Sequence, residues 1–194
     1  MNRPRLVSTV VTLALFSGLS AMVALAQAPE PPAEAPPASE TAAEAAALLP
    51  EGRAPLPGVI TGGQPDAAQL AALAEAGYRT VVDLRAPGEP YSREDEKAAL
   101  ESLGVEYVSI PVAGPEGLTE ESARALSAVL AEKDAYPIAI HCASGNRVGA
   151  LLALEAAWVD GAPAAEALAL GLDAGLTGLE PKVRELLGLE QDPR

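Results

Sequence analysis

One cysteine and one histidine occur in 194 residues. A lone thiol cannot close an internal disulfide, so Cys142 is free. With a single histidine and no clustered ligands, a catalytic metal is not expected. Aromatic residues make up 3% of the chain, so the core has to be built from Ala, Leu and Val. Cations are also scarce: 13 Lys and Arg face 27 Asp and Glu, a net charge of −14. Such a surface repels nucleic acid and anionic membrane, and neither is expected as a partner. There is no Walker-type or dinucleotide glycine fingerprint, and no cofactor is expected. No internal repeat is apparent.

The first residues carry a targeting pattern. Arg3 and Arg5 precede an uncharged apolar run over residues 6–26 that closes on Ala24-Leu25-Ala26. A basic start, an apolar middle and an A-x-A end predict a secretory signal peptide over residues 1–26, with export to the bacterial periplasm. The rival reading is an uncleaved anchor; after cleavage no stable membrane insertion is expected. Losing the two arginines and no acids takes the net charge from −14 to −16. Residues 27–57, rich in Pro, Ala and Glu, read as a disordered linker with a short helix near 40–49. The folded domain is expected over 58–194.

Within that domain, strands alternate with helices. Asp66 suits the N-cap of a helix that Gly77 stops. Thr80-Val81-Val82-Asp83-Leu84 and Ile138-Ala139-Ile140 are apolar runs of the kind buried on both faces of a parallel sheet. Residues 105–112 alternate as a third strand, and helical patterns fill 92–102, 119–133, 147–159, 164–170 and 181–189. The fold class expected is α/β, a central mostly parallel sheet flanked by helices. In such a sheet ligands bind at the carboxyl ends of the strands.

At one such end stands His141-Cys142-Ala143-Ser144-Gly145-Asn146-Arg147, between an apolar strand and an Ala/Leu-rich helix. A loop that wraps a helix N-terminus aims backbone N–H groups at one point, where the helix dipole adds positive character. Gly145 permits φ > 0, and Arg147 can fork two hydrogen bonds onto an oxyanion. The same surroundings favour a Cys142 thiolate, suited to attack on a bound electrophile. His141 should face away from the loop, opposite to its neighbour. Trp158 reads as core, and Glu94-Asp95-Glu96 as a solvated helix face.

The motif His-Cys-x-x-Gly-x-Arg after an apolar strand resembles the loop of cysteine-dependent protein tyrosine and dual-specificity phosphatases. Four further segments support one branch: Thr61-Gly62-Gly63-Gln64-Pro65, Leu73-Ala74-Glu75-Ala76-Gly77-Tyr78, Val81-Val82-Asp83-Leu84-Arg85, and the stretch from Gly104 to Val112. In this order they resemble the beta-lactamase-hydrolase-like phosphatase-like family, from about residue 58 to 158. The resemblance implies a cysteine-phosphatase architecture. It makes Cys142 the nucleophile of a phosphocysteine mechanism, Arg147 the phosphate clamp, and the backbone of Ala143, Ser144, Gly145 and Asn146 the cradle. The general acid falls to Glu116, the nearest carboxylate beyond Ile110-Pro111-Val112, or to Asp83 at a strand end. Arg85 and Glu89 either line the same mouth or form an exposed pair. The implied ligand is a phosphorylated small molecule or phosphoprotein, with aryl phosphates favoured.

Two other readings stay open. Only four residues separate Cys142 from Arg147, a length shared with rhodanese-like sulfurtransferases, whose cysteine carries a persulfide. A domain that binds phosphorylated ligands without turnover is the third.

Overall fold

The computed structural model describes residues 38–190; the predicted signal peptide and the first part of the predicted linker, residues 27–37, lie outside them. Five strands form one sheet in the order β1-β2-β5-β3-β4, with β1 (Arg53–Leu56), β2 (Val59–Gly62), β3 (Thr80–Asp83), β4 (Glu106–Ser109) and β5 (Ile138–His141). All neighbours are parallel except the β1–β2 hairpin at one edge. The helices are α1 (Ala38–Ala46), α2 (Ala67–Glu75), α3 (Arg93–Ser102), α4 (Glu120–Ala131), α5 (Asn146–Trp158), α6 (Ala164–Asp173) and α7 (Glu180–Leu186). The expected α/β class, with a mostly parallel sheet flanked by helices, is the one observed.

Local chemistry accounts for the helix starts. Asp66 accepts from the Gln69 backbone N–H at 2.8 Å while Gln69 Oε1 accepts from Asp66 N at 3.0 Å, a reciprocal cap on α2. Ser92 caps α3 through Asp95 N, and Thr119 pairs with Ser122 at the start of α4.

Alternation along the strands divides the interior in two. Val82, Leu84, Ile138, Ile140 and Cys142 face α4 and α5, where Leu126, Leu151, Leu152 and Leu154 are fully buried. Val81 and Ala139 face the other way, onto Leu70, Leu73 and Leu100 of α2 and α3 and onto Leu49. The low aromatic content is therefore absorbed by two aliphatic cores. Close approach of α5 to α6 depends on glycine: a Cβ on Gly149 would lie 2.2 Å from Leu176 N and 2.4 Å from Gly171 O.

The start of the domain differs from expectation. Residues 38–57, expected as the end of the linker, hold α1 and β1, and Leu49 is buried in the second core. The expected helix near 40–49 is α1, shifted by a few residues. β1 and β2 escape a pattern reading because turn-forming residues crowd them, Pro57-Gly58 between the two and Gly62-Gly63 at the end of β2. Pro55 also sits within β1, which an edge strand tolerates because one side of its backbone needs no partner.

Candidate active site

The loop after β5 sits at the carboxyl end of the sheet, clasped by the segment after β2. Cys142 N donates to Gly62 O at 3.3 Å, Gln64 N donates to Ala143 O at 3.4 Å, and Gly63 bridges Ser144. Gly62 and Gly63 allow this approach: a Cβ on Gly62 would meet Leu49 Cβ at 2.6 Å, and one on Gly63 would meet Ala143 O at 3.2 Å. Thr61 anchors the same segment from below, its hydroxyl donating to Ala174 O at 3.0 Å. The Thr-Gly-Gly-Gln sequence is thus a backbone brace for the loop.

Gly145 is the N-cap of α5 at φ 82°, ψ −22°, and no side chain caps the helix. The first bond along the helix is Gly149 N to Gly145 O at 3.0 Å. By helix geometry the N–H groups of the first turn, from Asn146 on, are left to point outward at the loop. They form the kind of terminus that takes an anion. Cys142 is 1% exposed on the α5 face, whereas Ala143 and Ser144 are exposed on the crest. The Asn146 side chain turns away from the loop centre. Its Oδ1 accepts from Thr177 N at 2.9 Å and from Leu179 N at 3.2 Å, tying the α6–α7 turn to the loop.

Arg147 lies close enough to Cys142 for the two side chains to interact electrostatically, an interaction that favours the charged guanidinium. It also meets Glu89 fork to fork. Nη1 donates to Glu89 Oε1 at 2.5 Å, Nη2 donates to Oε2 at 2.7 Å, and Nη1 further donates to Val112 O at 3.1 Å. Glu89 Oε1 accepts from Ala86 N as well, at 2.6 Å. The Arg147 hydrogen bonds hold the Glu89 carboxyl below its usual range, and Glu89 in turn raises Arg147. Of the two roles the sequence left open for Glu89, the geometry places it at the mouth.

Asp83 and Arg85 belong elsewhere. Asp83 pairs with His141 across β3 and β5, so both side chains lie on the α3 face, opposite to Cys142. Asp83 is fully buried, and both its oxygens are taken. Arg85 N and Nε donate to Oδ1 at 2.8 and 2.9 Å; Arg85 Nη2 and Tyr107 Oη donate to Oδ2 at 2.9 and 2.8 Å. Arg85 Nη2 also bonds Glu96 Oε2 at 2.5 Å, and Gln64 Nε2 donates to the same oxygen at 3.0 Å. His141 Nε2 stands 2.7 Å from Glu96 Oε1 without the alignment of a hydrogen bond. Burial works to raise the Asp83 carboxyl, but the hydrogen bonds from Arg85, the nearby His141 and the Tyr107 hydroxyl together bring it below its usual range.

Three expectations are corrected by this network. Asp83 cannot reach a group attacked by Cys142, because a two-residue period puts it on the wrong face. Arg85, 1% exposed, is committed to Asp83 and Glu96 and does not line the mouth. Glu96, expected on a solvated face, is 5% exposed and joins β3 to α3. Asp83, Glu96 and His141 are close enough together to suggest a metal site. Arg85 already supplies the cation there, and Asp83 has no free acceptor direction.

Glu116 lies exposed on a 3₁₀ turn, Gly114–Gly117, that begins just beyond the Val112 carbonyl held by Arg147. An apolar cavity of about 800 Å³ is lined by α1, by residues 54–60 and by Tyr78 and Pro137. These residues are at the opposite ends of the strands from Cys142, so the cavity plays no part in the loop's chemistry. Among the described residues no helix is long and apolar enough to cross a membrane.

The family model described as "DSP-PTPase phosphatase fused to NAD+ Kinase" matches residues 56–169, more than half the chain and the whole of the loop. The chain belongs to this phosphatase family. It is 35% identical over 96 residues to the Beta-lactamase hydrolase-like protein of Agrobacterium fabrum, covering 47% of this chain and 22% of that one. The chain therefore spans about a fifth of the length of the curated relatives it matches. A structure from Shewanella putrefaciens described as "Putative phosphatase (DUF442)" superposes with TM-score 0.59 at 22% identity, over 72% of this chain and 89% of that one. Another from Neisseria meningitidis gives 0.55 at 20% identity, over 66% and 92%. Both share the cysteine-phosphatase fold.

Proposed function

We propose that the domain hydrolyses a phosphate monoester in two steps through a phosphocysteine at Cys142. The observation that carries this reading is the convergence on one point of the Cys142 sulfur, the Arg147 guanidinium and the uncapped N-terminus of α5. The thiolate attacks phosphorus in line with the departing oxygen, and the helix N–H groups and Arg147 hold the equatorial oxygens as charge redistributes. Water then attacks the phosphocysteine and releases inorganic phosphate. Only Val148 follows Arg147 where many such enzymes carry a hydroxyl, so thiolate departure relies on the loop N–H groups.

The four-residue spacing kept a sulfurtransferase in view, but the matched family and the shared fold favour phosphate over sulfane sulfur. Aryl phosphates, whose leaving groups need least help, are the proposed substrate class. The test is phosphate release from an aryl phosphate, with thiocyanate formation from thiosulfate and cyanide measured in parallel, each against Cys142→Ser. Phosphate release abolished by the substitution supports the reading; thiocyanate without phosphate overturns it.

A further inference from the structure

The geometry points to Glu89 as the proton donor of the proposed phosphatase reaction, held on Arg147 until the substrate displaces it. This inference rests on the proposed phosphatase reading and names a residue for which the sequence offered two other carboxylates. Asp83 is on the far face of the sheet, and Glu116 is exposed. Glu89 touches the clamp itself, through both oxygens.

Glu89 occupies the Nη1–Nη2 edge of the Arg147 guanidinium, and Nε with the second Nη2 hydrogen forms the other edge. A phosphate dianion seated over Cys142 that draws the Nη1–Nη2 edge onto itself competes with Glu89 for it. The segment carrying Glu89 has the geometry of a hinged arm. Residues 86–92 form no helix or strand, and Gly88 at φ 87° and Tyr91 at φ 70° both lie in the left-handed region. For tyrosine that conformation is uncommon, and such strain gathers where a segment is functional. Arg85 Nη1 anchors the arm by donating to Pro90 O at 3.1 Å, leaving Glu89 beside the mouth after it lets go.

Protons balance in both steps. The substrate enters as a monoanion whose second ionisation lies at about 6. As Glu89 leaves Arg147 it takes the phosphate proton, which leaves a dianion on the clamp and a neutral carboxyl beside it. The thiolate forms the S–P bond, the P–O bond to the leaving group breaks, and the Glu89 proton goes to the departing oxygen. In the second step the Glu89 carboxylate accepts a proton from the attacking water. The S–P bond breaks with its electron pair returning to sulfur, and inorganic phosphate departs. The charged groups facing Glu89 are Arg147 from α5 and Arg85 from its own arm, with the Ala86 N–H alongside and Cys142 behind Arg147.

The test uses Glu89→Gln and Glu89→Ala, each checked for a native melting transition, and a series of phosphate monoesters whose leaving groups range from p-nitrophenol to simple alcohols. The wild type is expected to depend weakly on leaving-group basicity. Both variants are expected to depend on it steeply, with roughly 10²–10⁴-fold loss for alkyl esters and much less for p-nitrophenyl phosphate. Inorganic phosphate, titrated by calorimetry, should bind both variants more tightly than wild type, because Arg147 has lost its internal competitor. A uniform loss across the series, or weaker phosphate binding, would make Glu89 a support for Arg147 and overturn the assignment. No turnover of any ester by the wild type would remove the phosphatase reading, and this assignment with it.

Discussion

Asp83 and Cys142 stand at the carboxyl ends of neighbouring strands yet on opposite faces of the sheet. Asp83 faces α3 with His141, and Cys142 faces α5. The acidic residue nearest the nucleophile along the strand ends is therefore part of the scaffold. Asp83→Asn should destabilise the fold by about 3–5 kcal/mol, because it removes one of the two carboxylates that neutralise buried Arg85 and leaves only Glu96. Turnover per folded molecule should fall far less than the roughly 10²–10⁴-fold that loss of a general acid brings. Urea unfolding together with rates measured below the transition separates the two effects.

The same carboxylate sets an acid limit. Its folded-state pKa is depressed, so its stabilisation is fully present above the unfolded value of about 4 and is lost as pH falls through the folded one. Glu89, depressed by Arg147, contributes in the same sense. The part of the melting temperature due to Asp83 and Glu89 should hold steady from neutral pH down to about 5 and fall below about 4. Asp83→Asn should flatten that fall; an unchanged profile would remove Asp83 as its cause.

Glu155 on α5 acts in the opposite direction. It is 4% exposed, and burial raises its carboxyl above the usual range, with Ser127 only partly offsetting this. A raised carboxylate pKa means stability is lost as pH rises from the unfolded value through the folded one. Glu155→Gln should be close to neutral at pH 4 and should raise the melting point at pH 8 by about 2–4 °C, corresponding to about 1 kcal/mol. Calorimetry at the two pH values checks the sign.

Gly149 tests the packing beneath the loop. Alanine there would put a methyl 2.2 Å from Leu176 N and 2.4 Å from Gly171 O, backbone atoms that cannot turn aside. Gly149→Ala should cost about 1–3 kcal/mol by overpacking and should shift the α5–α6 pair that carries Arg147. Gly77→Ala is the contrast: a Cβ there has open space and strain arises only from φ 84°, so its cost should be smaller. Denaturant midpoints of the two variants rank them.

Much of the architecture is legible in the sequence because its signals are local. Asp66, Ser92 and Thr119 announce their helices by capping chemistry, and the apolar runs Val81-Val82 in β3 and Ile138-Ala139-Ile140 in β5 announce a covered parallel sheet. The loop is legible for the same reason: strand, cysteine, glycine, arginine and helix are contiguous. What escapes depends on contacts between distant segments. β1 and β2 become strands through each other and through β5, between Pro and Gly residues that read as turns. Glu96 lies in a run of three acids, and only the position of Arg85 shows which of them turns inward. Glu89 is 58 residues from Arg147 in the chain, and no spacing rule joins them. The place of Asp83 is within reach of the pattern, since the alternation that sends His141 away from the loop sends its strand partner the same way.

The most direct test of the central claim is whether phosphorus becomes bonded to Cys142. An aryl phosphate mixed with the protein, quenched with denaturant at alkaline pH during turnover and followed by mass spectrometry of intact protein and of peptides, should show one phosphoryl group on the peptide containing Cys142. That adduct should be absent from Cys142→Ser. Phosphate release with no adduct in wild type, and undiminished in Cys142→Ser, would contradict the account.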